Sequence, residues 1–142
     1  MSIENMPDLS GQNREPTLAE KQQQERMELA EQLKSQHGLK RVFIIRIQRT
    51  DTDELKDTDP EKYTYWYVRG PKPIEAIRFN NEAVNEEKRN KALNNITWPC
   101  LLHPTGQELE ELKTELPLAF MTIGNRLLEI AGLVKENEIK KV

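Results

Sequence analysis

Cysteine is almost missing from this chain: of its 142 residues, only Cys100 carries a thiol. One cysteine cannot form an intramolecular disulfide, and a secreted chain of this size would often carry several. Long apolar runs are missing too. The stretch from Val42 to Ile47 is interrupted by Arg46 and falls far short of the ~20 residues that a membrane-spanning helix needs. The opening Met1-Ser2-Ile3-Glu4-Asn5-Met6-Pro7-Asp8 has no basic start and no apolar core, so no signal peptide is expected and the cytosol is the default compartment. Six scattered glycines give a nucleotide-phosphate cradle little to be built from. Nor does one sign of charge dominate. Lys and Arg number 21 against 24 Asp and Glu, a net charge of -3 that argues against a broad basic face for nucleic acid and against a polybasic membrane anchor.

What is present fits one modest domain. Hydrophobic residues make up 36% of the chain and charged residues 32%, polar for a globular protein yet apolar enough for a core. Residues 1–16 hold Pro7, Gly11 and Pro16 among polar neighbours and read as a disordered tail. The domain is expected over 17–134. Its first element is a helix over 17–37, opened by the capping box Thr17-Leu18-Ala19-Glu20 and stopped at Gly38. Its apolar positions are Leu18, Met27, Leu29, Ala30 and Leu33, a stripe thin in the half that holds Gln22-Gln23-Gln24. Such a helix is either a solvated one packing through its last turns or a docking or oligomerisation arm.

The period then changes. Val42 to Ile47 is β-branched, with Phe43, Ile45 and Ile47 on one face, and Tyr63-Thr64-Tyr65-Trp66-Tyr67-Val68 is a second strand. The acidic segment Asp51 to Pro60 between them is turn chemistry, so 41–69 reads as an antiparallel hairpin that needs helices against it. The helical part is expected over 72–134. Ile74, Ile77 and Val84 share a face, and residues 86–98 form a helix with Ala92, Leu93 and Ile96 inward, ended or kinked by Pro99. Cys100-Leu101-Leu102 would continue the apolar surface as far as Pro104. Thr105-Gly106-Gln107-Glu108 is a second capping box before a short Leu-rich helix. Pro117 begins the last helix, whose Phe120, Ile123, Leu127, Ile130 and Ala131 make the cleanest amphipathic stripe, with Gly132 as its stop. Residues 135–142 form a frayed charged tail. The fold class is therefore α+β and mostly helical: an N-terminal helix, one antiparallel hairpin, then about four short helices packed on it.

Chemistry is sparse. Cys100 and His103 have a spacing compatible with a pair of metal ligands, but a structural zinc site takes four, and a buried thiol beside a turn histidine is the simpler account. Counted from Asp51, the acidic turn places Leu55 and Lys56 where a calcium loop wants an oxygen ligand and a glycine. No pair of carboxylates is spaced for acid–base work. No catalytic, cofactor-binding or metal residue is assigned and no cofactor is expected, so the chain reads as a non-enzymatic protein. The aromatic strand Tyr63, Tyr65, Trp66, Tyr67 with Arg46 and Arg69 has the composition of a base-stacking surface, although such residues pack strand against strand more often.

One ordered pattern spans residues 41–133. It runs through Tyr67-Val68-Arg69-Gly70-Pro71-Lys72-Pro73-Ile74-Glu75, then Asn94-Asn95-Ile96-Thr97-Trp98-Pro99-Cys100-Leu101-Leu102-His103-Pro104. It continues through Glu108-Leu109-Glu110-Glu111-Leu112 and Leu116-Pro117 to Ile123 and Leu127-Leu128-Glu129-Ile130-Ala131-Gly132. This pattern resembles the tail assembly chaperones of tailed phages and prophages. The resemblance implies a protein of the bacterial host cytoplasm that binds the long, helical tape measure protein, and possibly other tail proteins, before the tail tube polymerises. It also implies possible self-association and a longer frameshifted form in some members. A membrane partner is not expected, nor is nucleic acid.

A chaperone for a helical client needs an apolar groove for an amphipathic helix. The candidate positions are the spare apolar residues of the last two helices: Leu109, Leu112, Leu118, Phe120, Leu128 and Leu133. Two other readings remain open: a structural component of the tail or virion, and a nucleic-acid-binding accessory protein that uses the aromatic strand.

Overall fold

The computed structural model describes residues 15–132. The expected tails therefore lie outside the described residues, except for Glu15 and Pro16. Among the described residues the order is α1 (Leu18–Gln36), β1 (Phe43–Gln48), β2 (Tyr63–Val68), α2 (Pro73–Glu82), α3 (Glu86–Cys100), β3 (Leu101–His103), α4 (Gly106–Glu115) and α5 (Ala119–Ala131). The fold is α+β and mostly helical, with an N-terminal helix followed by a hairpin, as the sequence predicts. The Thr17 box forms: the Thr17 amide donates to Glu20 Oε1 at 2.8 Å, and the Glu20 amide donates to Thr17 Oγ1 at 3.2 Å. Gly38 and Gly132 sit at φ of 63° and 80°, the left-handed conformation that ends a helix at least cost to glycine.

The sheet has one strand more than the hairpin. Its order is β1-β2-β3, antiparallel throughout, with Phe43 opposite Val68, Ile45 opposite Trp66, and Tyr67 opposite His103. Alternation then gives the sheet two apolar faces. Phe43, Ile45, Ile47, Trp66, Val68 and Leu101 meet α2 to α5 in the main core. Val42, Ile44, Tyr65, Tyr67 and Leu102 face the other way and meet Leu29, Ala30 and Leu33 of α1. Helices thus cover both faces, where the hairpin alone demanded one.

The main core is organised by α3 and α5. A Cβ on Gly124 would stand 2.6 Å from the Leu93 carbonyl oxygen, so α5 lies against the α3 backbone at a distance that only glycine permits. The fully buried Thr97 hydroxyl is within hydrogen-bond distance of two carbonyls, Leu93 of its own helix and Phe120 of α5, each at 2.8 Å. Trp66 stands edge-on to Phe120 with ring centres 6.3 Å apart, and its indole N–H donates to Thr64 Oγ1 at 2.8 Å. A buried indole needs such a partner.

A compact polar junction joins β2 to α2. Arg69 donates to both Glu75 carboxylate oxygens at 2.8 Å, and the Lys72 amide donates to Glu75 Oε1 at 2.8 Å. Paired guanidinium bonds outweigh the opposing burial and hold the Glu75 carboxyl down to about 2. Beside it, burial pushes the Cys100 thiol up to about 12, which leaves it protonated and inert at neutral pH.

Three expectations are corrected. Pro99 does not end α3, which runs on to Cys100, with Pro99 and Asn95, whose carbonyl loses its usual donor there, both at exposed positions. The segment after it is a strand, pairing with β2. Thr105 makes no side-chain cap at α4, and Glu108 instead lies 3.7 Å from His103 Nε2. Ile74 and Ile77 point outward from α2 and Val84 lies exposed past its end, while Phe79 is the α2 side chain that reaches the core.

Replacing Gly124 with alanine is expected to cost about 1–3 kcal/mol through forced separation of α3 and α5. Leu127→Asp is expected to cost about 3–5 kcal/mol, since it puts an unpaired charge into a fully buried position. Urea denaturation of both variants checks this. For Glu75 the folded carboxyl is depressed, so its contribution is present above the ordinary carboxylate range and is lost as pH falls through about 2. Wild type should therefore be more stable than Glu75→Gln at pH 7, with the gap closing between about pH 4.5 and 2; a gap that stays constant would contradict the pairing.

Candidate functional site

The surface expected on the last two helices is largely absent. Leu109, Leu112, Phe120 and Leu128 are buried in the main core and offer a partner nothing. Their helical spacing is the spacing of an inward face, and α4 and α5 spend it on the sheet and on α3. Leu118 is 65% exposed at the start of α5, and Leu133 lies outside the described residues. The free apolar side chains sit elsewhere. Ile74 and Ile77 are 60% and 57% exposed on the outer face of α2. Trp98 is half exposed beside a cleft of about 360 Å³ between α2 and α3. Its ring stands edge-on to Phe120 at 4.8 Å, and the Lys113 ammonium lies 4.5 Å from its centre.

A second concavity is built by strand alternation. Tyr63, Tyr65 and Tyr67 fall at every second residue of β2 and so share the face turned to α1, while Trp66 between them is fully buried on the opposite side. The aromatic strand is therefore split, and Trp66 is no part of any stacking surface. α1 crosses above the tyrosines and holds the sheet through Leu29, Ala30 and Leu33 near its end. Its first half leaves a groove of about 280 Å³, roofed by Gln22, Glu25 and Arg26 and floored by the three tyrosines. The acidic turn forms one wall, with Asp57, Asp59 and Pro60.

Cations already use this floor. The Arg26 guanidinium lies 4.2 Å from the Tyr65 ring centre, and that of Arg46, projecting from β1, lies 4.0 Å from Tyr63. Lys62 donates to Asp57 at 3.1 Å, as does the Tyr63 hydroxyl at 3.0 Å, and these bonds hold the Asp57 carboxyl below the usual carboxylate range. Burial pushes the Tyr67 hydroxyl up, with Arg26 opposing it. The lining itself carries three carboxylates, Glu25, Asp57 and Asp59, against the one guanidinium of Arg26. Among the described residues no group of His, Cys, Asp and Glu is placed to hold a metal ion. No described helix is long and apolar enough to cross a membrane. The groove offers shape, ring faces and charge.

The sequence marks the strand that carries the tyrosines, and its aromatic reading groups them with Trp66. Their use as a groove floor is not legible there, because it depends on where α1 lies.

Comparison with known proteins adds a family and a fold neighbour. Residues 33–140 match the model of a domain of unknown function, DUF6848. That match takes in the sheet and α2 to α5, whereas residues 18–32 of α1 precede it. Among solved structures the chain is similar to the uncharacterised protein rbstp2171 from Bacillus stearothermophilus, with 27% identity and a TM-score of 0.51 over 72% of this chain and 90% of that one. No curated protein matches the chain. With most of its length covered by the family model, the chain belongs to the DUF6848 family.

Proposed function

We propose that this protein binds a helical protein client and catalyses no reaction, acting as a tail assembly chaperone of a tailed phage or prophage. In this reading it works in the cytoplasm of the bacterial host and keeps the tape measure protein soluble until the tube forms around it. One observation carries the reading: the second face of the sheet holds an amphipathic helix with only part of that helix's length, leaving a tyrosine-floored groove beside it. A face built to seat one helix suits another of like pattern, and tyrosine gives large contact area for little lost freedom. The outward Ile74 and Ile77 and the half-exposed Trp98 extend the apolar surface beyond that groove. The ordered pattern from Tyr67 to Gly132 supports the same assignment.

Stacking of single-stranded nucleic acid on the tyrosines is the weaker reading. Arg26 and Arg46 already occupy two of the rings, and three carboxylates in the lining repel phosphate.

Co-expression with the tail genes of the same phage or prophage tests the proposal. The tape measure protein should co-purify with the wild-type chain and stay soluble, and capture by Tyr65→Asp should fall at least about tenfold. If the long helical protein never co-purifies and gains no solubility, or if the chain is a stoichiometric part of finished particles, the chaperone reading fails.

A further inference from the structure

We infer that the first half of α1 is a built-in stand-in for the client, and that the client presents a basic side chain to the Tyr65 ring in place of Arg26; this deepens the client-binding reading and rests on it. The occupant is thus a helix with an arginine or lysine within or beside its apolar stripe.

Three features point there. The first is charge. The carboxylates of Glu25, Asp57 and Asp59 line a groove floored by tyrosine faces; Lys62 pairs with Asp57 and Arg46 lies over Tyr63, which leaves Tyr65 as the ring that Arg26 covers. Rings flanked by carboxylates favour a cation and disfavour an anion, and guanidinium stacks on an aromatic face with less loss of hydration than an ammonium. The groups that line the groove with Arg26 come from several elements: Glu25 on α1, Tyr63, Tyr65 and Tyr67 on β2, and Asp57 and Asp59 from the β1–β2 turn, with the cations of Arg46 and Lys62 beside Tyr63 and Asp57. The side chain seated on Tyr65 thus shows, within the chain, the chemistry the site takes.

The second is the grip of α1. Ala30 and Leu33 are its buried residues, both in its last two turns, whereas Leu18 and Met27 project into solvent. The first turns can lift while the last stay anchored ahead of the Gly38 turn. The third is the reach of the family match. It begins at Leu33 and so includes the tyrosine face without the part of α1 that roofs the groove. The roofing part of α1 thus precedes the matched residues, and within it Arg26 reaches the floor.

The test uses the full chain and two labelled amphipathic helical peptides. One carries a single arginine in its apolar stripe, and its twin carries citrulline, which keeps the shape and removes the charge. Binding is read by fluorescence anisotropy, with circular dichroism melting as the check on folding. Arg26→Gln vacates the ring and should tighten the arginine peptide by about fivefold or more, with no such gain for the citrulline twin. Tyr65→Phe should keep the preference for arginine, and Tyr65→Leu should erase it. Equal affinity of wild type and Arg26→Gln for the arginine peptide, binding of neither included, overturns the inference, as does an equal gain for the twin. The two readings separate cleanly. If the tape measure protein is captured equally by wild type and Arg26→Gln, the stand-in role falls and the chaperone stays. If the peptides behave as expected while no tape measure protein is ever captured, the chaperone falls and the cation site stays.

Discussion

At the crossing of α3 and α5 there is room for a hydrogen atom and no more. Gly124 supplies it, and the Thr97 hydroxyl of α3 lies within hydrogen-bond reach of the Phe120 carbonyl on α5. Much else follows from this contact. It sets the depth of α5 against the sheet, which lets Phe120 meet the edge of Trp66 and also reach Trp98. It draws Ile123, Leu127 and Leu128 wholly inside. A helix committed this far to its neighbours keeps few apolar side chains outside, Leu118 and part of Ile130 among them.

The sheet divides the molecule into unequal halves. On one side four helices make a dense core; on the other a single helix rests on tyrosines and aliphatic residues. The dense side supplies rigidity, and the lightly covered side carries the groove on which the proposed function rests. A binding site gains from being carried on strands whose reverse face is immobile, because the positions of its rings are then fixed before any partner arrives.

Much of this architecture could be read from residue order. Alternation in Phe43, Ile45 and Ile47 marked β1, and the spacing of Ala92, Leu93 and Ile96 marked the inner face of α3. The Thr17 box and the stops at Gly38 and Gly132 also form as the sequence predicts. The third strand was hidden because three residues, Leu101–His103, carry no period, and Pro99 just before them mimics a boundary. The Leu-rich positions of α4 and α5 were misassigned to a partner for a general reason: spacing tells which residues share a face but not what that face meets. The groove was illegible on the same ground. Its floor lies in β2, its roof in α1 and its wall in the acidic turn, and only the tertiary fold brings these together.

The solitary thiol at Cys100 has a practical side. It lies fully inside the core, next to the Arg69–Glu75 pair, with its proton held far above neutral pH. Alkylating and maleimide reagents attack the thiolate, so they find almost nothing to react with while the chain is folded. A cysteine introduced anywhere on the surface would then be the sole point of attachment for a dye or spin label, with the native sulfur left in place. Slow modification of the native sulfur would in turn count the moments when the core opens, turning an inert side chain into a clock for breathing of the fold.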